Sequence, residues 1–475
     1  MNYKMIIHTT GQLLGVGSIC MLLSAAVSLI YMEISGLWLL LASVIAGILF
    51  FVSRFFKPES DVFFAKEGLL TVAFAWIFLS LVGALPFFLS GEIPSYVDSL
   101  FETISGFTTT GATILGDVSV LSHGNLFWRS FTHWIGGMGV LVLLVALLPS
   151  VSGRSIHMLR AEMAGPTVGK LVPKAKETAR ILYIFYIALS LLQFILLLCG
   201  DMSPFESAIH TMSTAGTGGF GMLNSSIAEY SAYSQWVITV FMFIFSINFN
   251  LFFFFFIGKA LSAFKSEELW VFTGIVVLSS LVIAFDLRNV YDSFGESIRH
   301  SFFQVSAYIS TTGFATANTN TWPTLSKALL LLMMFMGGCA GSTAGGLKLS
   351  RVILLLKTMR NRVRRVIYPR TVSTVRFEGK SVDEEIVSGV ITYFALYVFC
   401  IITLFIILSF EPFSFETNFS AAVSAFNNVG PLFGELGNFE AYSGFSKVIL
   451  SFAMLLGRLE IYPLLILFMP STWKK

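Results

Sequence analysis

Between residues 68 and 469 the chain repeats one pattern four times: a long apolar stretch, a short polar run rich in hydroxyls and glycine, then a second long apolar stretch. The apolar pairs are 68–90 with 126–149, 180–200 with 234–258, 269–286 with 326–357, and 386–410 with 446–469. Each stretch has about the 20 residues that a membrane-spanning helix needs. In lipid, every backbone N–H and C=O must be satisfied inside the protein, so such stretches form helices. A polar, glycine-containing backbone at the same depth is tolerated only where it is buried in protein or faces water.

The four polar runs are Phe107-Thr108-Thr109-Thr110-Gly111-Ala112-Thr113, Thr217-Gly218-Gly219-Phe220, Ser310-Thr311-Thr312-Gly313-Phe314 and Asn427-Asn428-Val429-Gly430-Pro431. Two further apolar stretches, 11–31 and 36–53, precede the first repeat. Lys4 before the first of them resembles a signal peptide, but no small-residue cleavage site follows, and it reads as a retained membrane helix. Only 12% of the residues are charged, about half the soluble-protein share. The expectation is an all-α polytopic membrane protein: four helix–pore-loop–helix repeats around one pore, plus two N-terminal transmembrane helices. Its parts are the N-terminal pair in 1–60, repeat 1 in 61–150, repeat 2 in 151–265, repeat 3 in 266–360, a basic linker in 361–384 and repeat 4 in 385–475.

Before three of the runs stands Ser-x-x-Glu: Ser99 to Glu102, Ser203 to Glu206 and Ser293 to Glu296. This is the capping-box spacing, so each predicts the start of a short helix running into its loop. In the fourth repeat Phe413 takes the serine position before Glu416, and Thr417 is the cap candidate. Attraction of cations at the surface is a second reading of these glutamates. Basic residues cluster at Arg54/Lys57, Arg154–Arg180, Lys259/Lys265, Lys348–Lys380 and Lys474/Lys475. Alternating the spans puts all five clusters on one side, which the basic bias of short cytoplasmic loops marks as cytoplasmic. Both termini then lie in the cytoplasm of a multi-pass protein of the cell (inner) membrane. The loops open from the far side, beside Glu92, Asp98, Asp117 and Asp201.

A dehydrated monovalent cation needs several oxygens at once, and rings of backbone carbonyls supply them without full charges. Glycine permits the backbone angles that aim a carbonyl inward, and a short helix ending at the loop points its negative dipole end at the ion. Glycine-rich packing turns between helices are the alternative, and four loops from the same side favour the pore. The candidate filter residues are Thr109, Thr110, Gly111, Thr217, Gly218, Gly219, Thr311, Thr312, Gly313, Asn428, Val429 and Gly430. Adjacent Gly218 and Gly219 leave the second loop's register open by one residue. The fourth loop lacks threonine, so its quadrant is expected to coordinate differently.

Gly337, Gly338, Gly341, Gly345 and Gly346, with Ser342 and Thr343 among them, interrupt the second helix of repeat 3. A continuous helix there loses about 1 kcal/mol per glycine relative to alanine, which predicts a broken helix; a glycine-rich helix packed closely on a neighbour is the alternative. The other second helices show no such break in sequence. Arg458 sits mid-way along the last apolar stretch, and a charge at that depth faces a partner or water. It is expected to face the pore or the carbonyls around Gly338–Ser342 as a cationic barrier, with hydrogen bonding to helix ends as the alternative. These eight residues form the candidate gate.

The chain resembles the Trk/Ktr/HKT superfamily of cation transporters, and specifically the membrane subunit of bacterial Trk potassium-uptake systems. The resemblance rests on Phe107–Thr113, His133-Trp134-Ile135-Gly136-Gly137-Met138-Gly139, the run Gly337–Lys348 and Gly457-Arg458-Leu459-Glu460-Ile461. It implies filter glycines at 111, 219, 313 and 430, compatible with potassium. It also implies an intramembrane loop at 337–346 that blocks permeation, a homodimer, and a separate cytoplasmic nucleotide-binding (NAD or ATP) regulatory subunit. The chain itself has no nucleotide-binding fingerprint.

The expected function is uptake of potassium, with sodium as a second candidate ion, through a single gated pore. An ion-coupled secondary symporter is the alternative; it predicts paired interruptions in opposite-facing repeats, and these repeats all face one way. No covalent cofactor is expected, only the transported potassium ion. Membrane lipid is an expected partner of the basic stretch, and nucleic acid is not. An enzyme is not expected. The histidines His8, His123, His133, His157, His210 and His300 make no metal-spaced pair, and Cys20, Cys199, Cys339 and Cys400 are scattered through apolar segments.

Overall fold

The computed structural model describes residues 2–57, 65–139, 175–256, 260–369 and 374–473. Among them the chain is an all-α membrane protein, with one two-stranded antiparallel hairpin, β1 (Arg376–Phe377) and β2 (Lys380–Ser381). The basic residues 154–174, Lys259 and Lys474/Lys475, and the second span of repeat 1 beyond residue 139, lie outside the described residues.

The N-terminal helices α1 (Tyr3–Ile30) and α2 (Ser35–Ser53) form a hairpin. Small residues let them cross closely: Ser18 Oγ donates to the Ser43 carbonyl at 2.8 Å, and Ser43 Oγ to the Ser18 carbonyl at 2.9 Å. In repeat 1, α3 (Ala65–Gly83) and α4 (Leu85–Ser90) lead to the short helix α5 (Tyr96–Phe107) and then α6 (His123–Gly137). The hairpin is tied to this repeat by Glu33, whose carboxylate accepts from the His123 and Gly124 amides at 3.0 and 3.2 Å. Glu33 thus does for α6 what its own N-cap residue, Ser122, does not.

Repeat 2 holds α7 (Ala175–Leu198), the short α8 (Pro204–Ala215), α9 (Ala232–Phe245) and α10 (Phe249–Phe256). In repeat 3 the order is α11 (Glu267–Asp286), short α12 (Phe294–Ile309), α13 (Thr324–Met336) and α14 (Leu349–Ile367). Repeat 4 contains α15 (Glu384–Leu408), short α16 (Phe415–Asn427), α17 (Gly444–Arg458) and α18 (Tyr462–Phe468).

Among the described residues, the helices long and apolar enough to cross a membrane are α1, α2 and the first helix of each repeat. The second helix stops part-way in every repeat, which overturns the expectation that only repeat 3 is interrupted. In repeat 1 it ends at Gly137, ahead of Gly139 at φ +78°. In repeat 2 it stops at Phe245 and restarts as α10, where Asn248 Oδ1 accepts from the Asn250 amide at 3.0 Å. Repeat 4 breaks at Leu459–Ile461, with Glu460 at φ +56° and Ile461 at +67°. A β-branched residue rarely takes that conformation, so the apolar sequence concealed the break.

The caps also differ from expectation. Ser99 is a buried residue inside α5, its Oγ donating to the Ile93 carbonyl at 3.1 Å. The cap of α5 is Ser95, whose Oγ accepts from the Asp98 amide at 3.3 Å. In repeat 4 the cap is Ser414, accepting from the Thr417 amide at 3.3 Å, rather than Thr417. Ser203 and Glu206 form the full reciprocal box, and Ser293 accepts from the Glu296 amide at 3.1 Å. All four short helices therefore start on a serine, and all four end at a glycine run.

Candidate functional site

The short helices terminate identically. Thr110, Gly218, Thr312 and Val429 each donate their amide to the carbonyl five residues back, namely Ser105, Ser213, Ala307 and Ser424, at 2.8–3.0 Å. The preceding residues Thr109, Thr217, Thr311 and Asn428 bond three residues back and hold φ between 54° and 56°. This is the Schellman ending, in which one residue turns left-handed and satisfies the last helix carbonyls. Glycine or asparagine is usual at the left-handed position; here three of four are threonine.

The next residue but one is Gly111, Gly219, Gly313 or Gly430, again with positive φ. This fixes the second loop: Gly219 is the equivalent of Gly111, and Gly218 that of Thr110. The fourth loop makes the same helix ending, but Gly430 turns to φ +103° against +72° to +80° for the other three, and its amide donates to Ser424 Oγ at 2.9 Å.

The four glycines close a ring. A Cβ on Gly111 would lie 1.8 Å from the Gly218 carbonyl oxygen, and one on Gly219 1.8 Å from that of Thr312. On Gly313 it would meet the Val429 oxygen at 2.1 Å, and on Gly430 the Thr110 oxygen at 2.6 Å. Each loop thus rests its glycine on the carbonyl of the next, in the order 1–2–3–4–1. Beyond the ring the return segments interlock in the same order. Val118 N donates to Asn224 Oδ1 (2.8 Å), Ala315 N to Ser226 Oγ (3.1 Å), Gly434 N to Asn320 Oδ1 (3.0 Å), and Phe439 N to the Thr113 carbonyl (2.9 Å). On the exposed rim, the Asn224 amide and then Ser119 hold the Asp117 carboxyl below its ordinary value.

One pair that sequence reasoning missed supports this ring. Glu102 and Arg129 are buried and paired at 2.7 Å. Glu102 also accepts from Thr113 Oγ1 and the Ile114 amide at 2.9 and 3.1 Å, behind the first loop. Arg129 donates to the Gly221 carbonyl at 3.1 Å and lies 3.5 Å from the Phe220 ring centroid, behind the second. His133 is buried and stacked on Phe220 at 4.1 Å. Only the basic residue in an apolar helix hinted at this pair.

The segment between α13 and α14, residues 337–348, sits against the ring. Gly337, Gly341 and Gly346 hold positive φ, and the Gly345 amide donates to Thr311 Oγ1 at 2.6 Å. The break in repeat 2 holds its other side: Cys339 N donates to the Ser246 carbonyl at 3.0 Å and Thr343 Oγ1 to that of Phe245 at 3.1 Å. Gly338 lies beside Ala344, and Ser342 Oγ donates to the Cys339 carbonyl at 2.7 Å.

Arg458 is the last residue of α17, not the middle of a continuous helix. Its guanidinium donates to the Thr343 carbonyl at 2.9 Å and, at the end of α6, to those of Gly137 at 2.8 Å and Gly136. It therefore meets both expected kinds of partner, loop carbonyl and helix end. A cavity of about 60 Å³ lies among Gly137, Gly345, Lys348, Arg458 and Glu460. Glu460 pairs with Arg351 at 2.7 Å.

Among the described residues no group of three or more His, Cys, Asp or Glu is placed to hold a metal ion. The groups that meet around the ring are the backbone carbonyls of Thr110, Gly218, Thr312 and Val429, the donor type that carbonyl rings offer a dehydrated cation.

The family model described as TrkH, cation transport protein, matches residues 41–284 and 268–475. The Trk system potassium uptake protein TrkH of Escherichia coli K12 is 34% identical over 489 residues, covering all of both chains. Trk system potassium uptake protein TrkG of the same strain is 32% identical over 485 residues, covering all of this chain and 99% of the relative. The crystal structure of the potassium transporter TrkH from Vibrio parahaemolyticus superposes with a TM-score of 0.89 at 31% identity over the full length of both chains. The chain belongs to the TrkH family of cation transport proteins.

Proposed function

We propose that this protein takes potassium into the cell through a single pore whose filter is the glycine ring. The observation that carries this reading is the closed ring itself: four left-handed turns, four glycines without room for a side chain, and carbonyls between them. Thr109–Gly111, Thr217–Gly219, Thr311–Gly313 and Asn428–Gly430 form the filter. Potassium is the substrate, supported by the potassium uptake relatives; sodium passes less readily. Segment 337–346 and Arg458 form the gate, supported by their place against the ring. The four repeats span 61–150, 151–265, 266–360 and 385–475. The basic ends face the cytoplasm of the inner membrane, and the protein works as a homodimer with a separate nucleotide-binding regulatory subunit. The end of α6 and the breaks of repeats 2, 3 and 4 lie together, joined by the Arg458 bonds to Gly136, Gly137 and Thr343 and by the Cys339 bond to Ser246, which supports a gated pore over a coupled symporter.

The test is cation flux in proteoliposomes with K⁺, Na⁺, Rb⁺ and Cs⁺, with and without a proton gradient. Gly111→Ser puts a Cβ against the Gly218 oxygen at φ +72°, so the ring must open. The K⁺/Na⁺ flux ratio is expected to fall by about tenfold, equivalent to about 1.4 kcal/mol. An unchanged ratio overturns the filter assignment, and flux that follows the proton gradient overturns passive permeation. Arg458→Ala is expected to raise flux at equal protein density; no rise counts against the gate.

A further inference from the structure

We propose that Glu268 is a positioning residue that holds the intramembrane segment 337–348 in place, and that the β1–β2 hairpin sets Glu268 through Glu378. The inference rests on the reading of that segment as the gate. Glu268 is the second residue of α11, where an acidic side chain ordinarily serves its own helix N-terminus. Instead its Oε1 accepts from the Ala340 amide, 72 residues away, at 2.8 Å. Glu268 is 4% exposed. Other bonds on this segment come from backbone, from hydroxyls or from the cations Lys348, Arg351 and Arg458. Among the described residues Glu268 is the carboxylate that binds its backbone.

Ser266 caps α11, its Oγ accepting from the Leu269 amide at 3.3 Å, and Glu378 takes the first two amides. Its carboxylate accepts from the Glu267 amide at 3.2 Å, the Glu268 amide at 3.1 Å and Ser266 Oγ at 2.8 Å. Glu378 sits at the tip of the hairpin, at φ +51° beside Gly379 at +75°, the two-residue turn that best fits paired strands. A third group completes the link. Lys357 of α14 forms an ion pair with Glu267, donates to the Arg376 carbonyl at 2.8 Å, and lies 5.9 Å from the Phe377 ring centroid. α14 is also the helix that the segment runs into. The hairpin therefore grips both the helix that carries Glu268 and the helix at the segment's downstream end. A force that lifts the hairpin frees the α11 N-terminus, draws Glu268 away from Ala340 and loosens the segment beneath the ring.

The experiment compares Glu268→Ala, Glu268→Gln, Glu378→Ala and Arg458→Ala in proteoliposomes. One readout is K⁺ flux; the other is the rate at which a water-soluble thiosulfonate modifies Cys339, with Cys20, Cys199 and Cys400 replaced by serine. Glu268→Ala is expected to raise both by about tenfold, the scale of one buried amide left without its acceptor. Glu268→Gln keeps an oxygen acceptor and falls between it and the parent. Glu378→Ala, on the hairpin, moves both readouts in the same direction. If Arg458→Ala raises flux and the Glu268 and Glu378 variants leave both readouts unchanged, the positioning role is overturned while the gate stands. If Arg458→Ala leaves flux unchanged, the gate reading fails, and the Cys339 rates alone decide whether Glu268 holds the segment.

Discussion

Three threonines hold the left-handed conformation that β-branched residues avoid. An L-residue there gives up about 1–2 kcal/mol, so the surroundings must impose it. At Thr311 the hydroxyl has a visible task, accepting the Gly345 amide at 2.6 Å. Thr311→Val keeps the branched shape and removes the acceptor, leaving a buried amide unpaired at a cost of about 1–3 kcal/mol. That variant is expected to raise resting K⁺ flux, whereas Thr311→Ser, which keeps the hydroxyl, is expected to stay near the parent; equal flux in all three sinks the contact. At this scale the sequence was legible where residue type mirrors backbone need. Gly111, Gly313 and Gly430 stand where positive φ and close approach exclude a side chain, and Asn428 stands where asparagine tolerates the left-handed turn. The choice between Gly218 and Gly219 was not legible, because two adjacent glycines satisfy the same composition and only φ separates them. Nor was Glu102–Arg129: its partners are 27 residues apart on two helices, and one-dimensional spacing carries no sign of such a pair.

Among the elements, the short helices depend on their first residue. Each begins in a polar setting and ends at the ring, so a frayed start transmits directly to the carbonyls at its other end. Ser203→Ala removes one half of the reciprocal box and is expected to cost about 1 kcal/mol. The check is a lower midpoint of heat-induced aggregation in detergent; an unmoved midpoint would show that neighbouring helices alone hold α8 in place. The Ser-x-x-Glu spacing located this cap because the pattern and the helix start coincide there. At Ser99 the same spacing falls inside α5, whose start is set four residues earlier by Ser95. The second helices show a similar divide. The glycines of 337–346 announced one break, but those at Phe245–Phe249 and Leu459–Ile461 sit in apolar sequence that reads as continuous helix. At the first of these a neighbouring segment occupies the freed groups: the Phe245 and Ser246 carbonyls accept from the repeat 3 segment. Breaks made by tertiary contact leave little trace in composition.

For the molecule as a whole, the ring and the interlocked return segments form one closed circuit, and such a circuit is only as rigid as its weakest junction. The junction between repeats 1 and 2 contains the buried Glu102–Arg129 pair, which reaches the backbone of both loops. Removing one member of a buried pair leaves an uncompensated charge and costs about 3–5 kcal/mol, while replacing both by apolar groups is far milder. Glu102→Gln alone is therefore expected to lower the thermal midpoint sharply, and Glu102→Leu with Arg129→Met to recover much of it. Selectivity is expected to separate from stability in these variants. The double variant regains a folded protein but not the two bonds to Thr113 and Ile114 or the bond to Gly221, so its first two loops lose their common support. Its K⁺/Na⁺ flux ratio should stay below that of the parent even where its thermal midpoint approaches it. A double variant that recovers both stability and ratio would show the pair to be a packing unit, with the ring's geometry held by the glycine contacts themselves.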